Sequence, residues 1–225
     1  MFSRTARSLF ALTALAACAT AAQSAALTVS SYDMPNGDGK AQGSTYNSYN
    51  YWDGTYTGSG DTTMDGLSGS FLRGGTGALT DGVIATDSWL DVSNTEGTGE
   101  YVGWRASPTI TFHFASPVTI NTITLYVDNS NVGGVTPPSA VVVDGTSFDN
   151  SSYPLDFPDS QPITLSGLNV VGNSVTVTLV DPSSHWIFLS EIQFDGLTTA
   201  VPEAGNLAMM LAGLGLLGWA SRRRA

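Results

Sequence analysis

Few residue types in this chain could do covalent or metal chemistry. Of its 225 residues, two are histidine (His113 and His185) and one is cysteine, Cys18. No Gly-x-Ser-x-Gly elbow and no His-Glu-x-x-His pair occurs, so neither a nucleophilic triad nor a zinc hydrolase is indicated. Acids are plentiful, 19 against eight Lys and Arg, yet nothing singles out two of them as the carboxylate pair of a glycoside hydrolase. The phrase Asn36-Gly37-Asp38-Gly39 has the look of an EF-hand loop. It fails as one, because Met34 would take the first ligand position and Thr45 the twelfth. The chain reads as a non-catalytic protein.

The two ends carry the chemistry of export. Near the C-terminus Val201-Pro202-Glu203 precedes an uncharged apolar run from Leu207 to Ala220, and Arg222, Arg223 and Arg224 follow. As a helix that run would reach roughly 21 Å, short of a hydrocarbon core of about 30 Å. The arginines would hold its end on the cytoplasmic side. This tail resembles the PEP-CTERM sorting signal of Gram-negative bacteria, whose processing enzyme is a membrane protease-transpeptidase, exosortase. That family's motif reads Val-Pro-Glu-Pro; here Ala204 stands in place of the second proline. The resemblance implies transient anchoring in the inner membrane through the C-terminal helix, then export to the cell surface or extracellular matrix.

At the other end Arg4 and Arg7 precede an alanine-rich apolar core, Leu9 to Ala22, followed by small residues through Ala26. That is the pattern of a secretory signal peptide with cleavage between Ser24 and Ala26. The competing reading is a lipobox, Leu15-Ala16-Ala17-Cys18, which would make Cys18 a lipidated N-terminus. With cleavage after the small residues, the only cysteine leaves and the mature protein has no disulfide.

The expected domain plan is therefore 1–26 signal peptide, 27–200 a single globular domain and 201–225 sorting signal. Without its ends the chain keeps 18 acids, 15 of the original acids being Asp, against Lys40, Arg73 and Arg105, about −15 in all. A surface of that sign repels nucleic acid, which is excluded as a partner. Between 27 and 200 the sequence is a succession of short β patterns. Ile110, Phe112 and Phe114 alternate with Thr111 and His113. Val118, Ile120, Ile123, Leu125 and Val127 follow, then Val141 to Val143 before Asp144-Gly145. Val175, Val177 and Leu179 alternate with Thr176 and Thr178, and the last pattern runs from Trp186 to Phe194. Such alternation with turns at short intervals predicts an all-β, antiparallel sandwich. Residues 32–77, rich in Gly, Ser, Thr, Asn and Tyr, predict edge strands and long ordered loops. Strict period two predicts that Trp186, Phe188, Ile192 and Phe194 share one face of the last strand, with Ile187, Leu189 and Glu191 on the other.

Three phrases carry a second resemblance. They are Leu79-Thr80-Asp81-Gly82, Tyr101-Val102-Gly103-Trp104 leading into Ile110 to Phe114, and Trp186 through Ser190-Glu191-Ile192-Gln193-Phe194. In this order they look like the galactose-binding-domain-like, discoidin-type jelly roll over about residues 70 to 196. The resemblance implies that Asp81 and Glu191 meet across the sandwich as side-chain ligands of a structural Ca2+, with oxygens near Ala78 and Thr86. A carboxylate beside apolar residues in a protein this poor in cations does need a cationic or hydrogen-bonding partner. It also implies a sugar site in loops at one end, for which Trp52, Tyr56, Trp89, Arg105 and His185 are the candidates. Trp89 reads equally as core, and His185 as an exposed loop residue. The function implied is an exported, exosortase-sorted protein whose sandwich binds extracellular polysaccharide without catalysis. The alternatives are a structural matrix protein with no glycan site and, further off, a glycan-active enzyme.

Overall fold

The computed structural model describes residues 24–39, 49–153, 160–181 and 185–198, together with 212–214 and 222. Cys18 and most of the expected signal peptide lie outside these residues, as do Lys40, Val201, Pro202, Glu203, Arg223 and Arg224. Residues 212–214 and Arg222 are helical, and among the described residues no helix is long and apolar enough to cross a membrane.

Nine strands dominate: β1 (Ala25–Leu27), β2 (Ser31–Pro35), β3 (Phe71–Gly75), β4 (Val102–Trp104), β5 (Thr109–Val127), β6 (Ala140–Val143), β7 (Thr146–Asp149), β8 (Gln161–Val180) and β9 (Ile187–Thr198). One helical turn, α1 (Trp89–Val92), and two 3-10 turns, Gly66–Ser68 and Val132–Gly134, interrupt them. All strand pairs are antiparallel, in the order β1-β9-β5-β8-β6-β7, with β2 on β5, β3 on β2 and β4 on β9.

The open sheet folds over itself because β5 and β8 are long and bent. The first part of β5 pairs with β2 and with the end of β8, and its second part pairs with β9 and the start of β8. Between them the register slips from His113↔Ser174 to Val118↔Gly172, so β5 advances five residues while β8 advances two. Ala115, Ser116 and Pro117 fill that excess on the surface. Pro117 has no N–H to give to a ladder and suits such a bulge. The fold-over brings Phe112 and Phe114 onto Phe194, with ring centroids 5.0 and 5.4 Å apart.

Between the layers lies one apolar core of β-branched and aromatic residues, including Tyr32, Met34, Leu72, Ile110, Phe112, Ile123, Leu125, Val177, Ile187, Leu189 and Phe194. Each side chain so buried contributes about 1.5–3 kcal/mol relative to exposure. The expected alternation holds along β5, where Ile110, Phe112, Phe114, Val118, Ile120, Ile123, Leu125 and Val127 are all buried. The expected faces of β9 do not hold. Its register steps from Val127↔Leu189 to Tyr126↔Glu191, leaving Ser190 as an extra residue. Ser190 is buried and bonds to Tyr126 O at 3.2 Å and to Ser160 Oγ at 2.9 Å. The bulge shifts the phase, so Ile187 and Leu189 join Ile192 and Phe194 in the main core. Trp186 and Phe188 turn to a second cluster.

A β-strand was not anticipated over Gln161–Ser174, the first part of β8. Pro162, Gly167, Asn169 and Gly172 read locally as turn formers. Here Gly167 and Asn169 take positive φ (73° and 55°) within a bulge, while the flanking residues stay paired to β5.

Candidate functional site

Two regions flank β9. The first is the outer edge where the strand meets the loop that contains Asp81. Between β1, which pairs with residues 194–196, and β4, which pairs with 187–189, β9 has no strand partner on that side. The loop supplies one: Ile192 N–H donates to Leu79 O at 3.0 Å, and Gly82 N–H donates to Glu191 Oε2 at 3.2 Å. Asp81 Oδ1 accepts from Val83 N–H at 2.8 Å, closing the turn. Glu191 is only 4% exposed, and burial pushes its carboxyl up to about 7; the Gly82 N–H opposes this and the Asp81 charge adds to it. The loop thus meets Glu191 through Gly82, the residue after Asp81, while the Asp81 side chain is exposed and caps its own turn. Beside them lies a cavity of ≈ 290 Å³ lined in part by Thr28, Thr80, Glu191, Gln193 and Asp195.

Asp53 anchors the other side of this loop, and in residue order nothing distinguishes it beyond the glycine that follows, Gly54. Its carboxylate is fully buried and accepts from Ala78 N–H at 3.2 Å, from Thr55 Oγ at 3.0 Å and from the Tyr32 hydroxyl. Burial raises its pKa, against the pull of those donors. A Cβ on Gly77 would stand 2.5 Å from both Asp53 oxygens, so only glycine fits there.

The donors around Asp81 and Glu191 are all oxygens, which suits calcium. Among the described residues no group of three or more His, Cys, Asp or Glu side chains gathers anywhere. An ion between Asp81 and Glu191 would thus take the rest of its six to eight oxygens from backbone carbonyls and hydroxyls.

The second region lies at the start of β9. Tyr51 is its hub, with ring centroids 4.6 Å from Phe188, 5.0 Å from Trp186 and 5.7 Å from Trp89, all edge-on. Trp89 stacks on Phe188 at 5.7 Å and meets Tyr49 at 6.3 Å. Such edge-on and stacked pairs add about 0.5–1.5 kcal/mol each beyond area burial. Trp89 is fixed by its indole N–H to Val132 O (3.0 Å) and by its backbone N–H to the buried Asp128 Oδ2 (2.7 Å). Gly133, at φ 65°, leaves room for the indole, which a Cβ would approach to 2.8 Å. Trp186 is tied to the 132–136 turn through Gly134 O and Thr136 N–H, each at 2.9 Å. The exposed Arg105 guanidinium covers the Trp186 ring, 5.4 Å from its centroid.

Of the five residues expected to bind sugar, Trp89, Arg105 and His185 belong to this aromatic end. His185 precedes Trp186, is half-buried, and donates its backbone N–H to Asp181 Oδ1 at 3.1 Å. Trp52 is half-buried and lies against Gly39 and Gly97. Tyr56 is in the main core, only 7% exposed, with its hydroxyl donating to Tyr32 O and accepting from Gly75 N–H. Its ring packs edge-on against Tyr32 at 5.1 Å inside the core and is not available as a platform for a sugar. Tyr49, Tyr51 and Trp186 were not singled out as site residues; the aromatic density of 46–56 was the only signal for the first two. Ser30, His113 and Asp33 adjoin one another, but Ser30 Oγ donates to the His113 carbonyl (2.9 Å) while the ring bonds Asp33 Oδ2 (3.1 Å), so no serine is activated.

Comparisons with known proteins agree with this architecture. The discoidin domain-containing receptor 1/2, DS-like domain matches residues 28–196, and the PEP-CTERM protein-sorting motif matches residues 200–224. The first match corrects the expectation that the likeness begins near residue 70: β2 and its loop belong to the same domain. Similar solved structures include the lectin binding domain of Lectinolysin complexed with Lewis b (11% identity, 54% of this chain and 82% of that one, TM-score 0.37). Another is the family 32 CBM of C. perfringens NanJ in complex with galactose (9%, 52% and 82%, TM-score 0.33). A third is SpGH29, at 19% identity over 54% of this chain, with a TM-score of 0.33; the match spans 24% of SpGH29. Among curated protein sequences none matches the chain. From residue 28 to residue 196, three-quarters of its length, the chain belongs to the discoidin (DS-like) domain family, and it ends in a PEP-CTERM protein-sorting motif.

Proposed function

We propose that this is an exported protein, sorted by exosortase to the cell surface or extracellular matrix, whose jelly-roll sandwich binds polysaccharide at its aromatic end without catalysis. The observation that carries the binding reading is the Arg105 guanidinium held over the half-buried Trp186, beside Trp89 and Tyr49. Aromatic rings with a few fixed polar groups form the ordinary surface for a sugar ring, and Arg105 supplies donors for hydroxyls. The PEP-CTERM match supports the sorting part, with exosortase as processing partner and the inner membrane as the transient anchor of the C-terminal helix.

A structural calcium ion at Asp81 and Glu191 belongs to the same proposal. It would neutralise the buried Glu191 carboxyl and the exposed Asp81 near it, whose charge adds to the rise in the Glu191 pKa. It would also tie the 77–83 loop to β9 from outside the aromatic end. Its role would be to stiffen the scaffold.

The test is a glycan-array screen of the purified chain, with and without calcium, alongside Arg105→Gln. Wild-type binding that the variant loses, while the two melt within a few degrees of each other, is the expected result. No binding to any glycan in either condition overturns the carbohydrate reading and leaves a structural matrix protein. That second reading is favoured by the way the rings already pack on one another, with Phe188 and Tyr51 fully enclosed.

A further inference from the structure

We propose that Asp38 and Asp65 form a proton-sharing clasp that positions Arg105 over Trp186, so that the aromatic end holds its ligand more tightly in mildly acidic than in neutral solution. This rests on the binding site proposed above and adds its regulation.

The geometry is specific. Asp38 is 2% exposed and spans two elements with its two oxygens. Oδ2 accepts from the Arg105 backbone N–H at 2.7 Å, and Oδ1 accepts from Leu67 N–H at 3.2 Å. Asp65 Oδ1 accepts from that same Leu67 N–H at 2.7 Å, while its Oδ2 accepts from Gly39 N–H at 3.3 Å. Two carboxyl groups thus converge on one donor, the Leu67 N–H, which brings their oxygens side by side. Two carboxylates that close cannot both ionise without penalty, so the buried Asp38 takes up a proton more readily than an isolated acid.

Among the described residues no cation offsets the charge at Asp38. Asp65 is the acid that faces Asp38 from the 3-10 turn. Arg105 and Tyr51 present backbone N–H groups, the latter to Asp38 O at 3.1 Å, and Lys40 lies outside the described residues. Burial first, then the Asp65 charge, pushes the Asp38 carboxyl up to about 6, while the Arg105 and Leu67 N–H groups pull the other way. Below that pH the pair shares a proton and the three segments are locked. Above it, two like charges press apart next to the residue whose side chain covers Trp186. An acid whose folded pKa is raised favours the folded state most while protonated; that stability fades as pH climbs from the ordinary Asp value toward 6.

Asp38→Asn imitates the protonated form. Its amide oxygen can still accept from Arg105 N–H and its NH₂ can donate to Asp65, which keeps Leu67. The full chain, purified in a mild non-ionic detergent, is examined at pH 5 and pH 7.5 by melting, by the Arg105 and Leu67 backbone amide resonances, and by binding to an array of neutral glycans. The wild-type amide shifts should titrate with a midpoint near 6 and those of Asp38→Asn should not. The variant should melt above wild type by a margin that grows from pH 5 to pH 7.5, a difference that cancels the contribution of the other buried acids. Wild-type glycan affinity should fall several-fold between the two pH values while that of the variant stays level. Arg105 and Leu67 resonances that ignore pH, or a variant that melts lower at both pH values, would overturn the clasp. Titrating resonances with pH-independent glycan binding overturn the regulatory role alone. Titrating resonances with no glycan bound by either protein uphold the clasp and refute the site it was taken to serve.

Discussion

The two regions along β9 hold their side chains by opposite means. At the aromatic end Tyr51, Trp89, Trp186 and Phe188 are fixed by area, ring geometry and a few neutral hydrogen bonds. A dozen ångströms or more along the strand, by its rise of about 3.3 Å per residue, Glu191 is fixed by burial against Asp81 with one backbone donor. The first arrangement stabilises whatever the solution contains. The second is under tension until a proton or a cation arrives. Rigidity at one end and responsiveness at the other therefore come from which groups are desolvated, neutral rings at the first and the Glu191 carboxyl at the second.

The largest expected effect tests the rigid end. Phe188→Ala removes the ring that Tyr51, Tyr101, Trp89 and Trp186 all touch. It should cost about 3–5 kcal/mol and, at ~2–4 °C per kcal/mol for a domain this size, lower the melting temperature by roughly ten degrees. A loss of under about 1 kcal/mol, the range of a surface change, would mean that this end is soft and the contrast unsound.

The intermediate effect concerns the responsive end and has a sign that depends on the solution. In EDTA, Glu191 is destabilising when ionised, because its folded pKa of about 7 lies above that of the unfolded chain. Its favourable contribution is complete at pH below the unfolded value and is lost as pH rises through 7. Glu191→Gln should then melt above wild type at pH 8 in EDTA and level with it at pH 4. In calcium the order should reverse. An ion bound only by the folded state adds about 2.7 kcal/mol at 100 times its dissociation constant, and the variant forgoes it. Identical wild-type melting in calcium and EDTA, with no metal in the purified protein, would remove calcium and leave proton binding as the only response.

Arg105→Gln should have the smallest effect on stability. An exposed cation–π contact is worth about 0.5–1 kcal/mol, so calorimetry should show a shift of a few degrees at most. A larger loss would show that Arg105 supports the fold as well as the face it covers, and would blur the line between platform and scaffold.

How far each region could be read in advance follows the same contrast. The alternating phrases around Phe112, Leu125 and Val177 predicted their burial correctly, because a strand's period is local chemistry written directly in residue order. Asp81 and Glu191 were paired in advance only through the family likeness; nothing local connects residues 110 positions apart. The aromatic end was half seen, through Trp89, Arg105 and His185. Tyr56 was misplaced, because a tyrosine in a Gly- and Thr-rich stretch looks the same whether its ring caps a loop or fills a core.

By itself the sequence determined the β class, the antiparallel habit, the core stripes of β5 and the acidic, nearly lysine-free surface, all of which depend on neighbours one or two residues apart. Only the tertiary structure decided that Ser190 bulges and sends Trp186 and Phe188 to a separate cluster, and that Asp38 and Asp53 are buried while Asp81 and Asp144, also followed by glycine, stay exposed. It also decided that β8 runs unbroken as a strand through two glycines and two asparagines. Those outcomes turn on which distant segment covers a residue, and burial, which sets both pKa and packing energy, is a property of the assembled chain and not of its order.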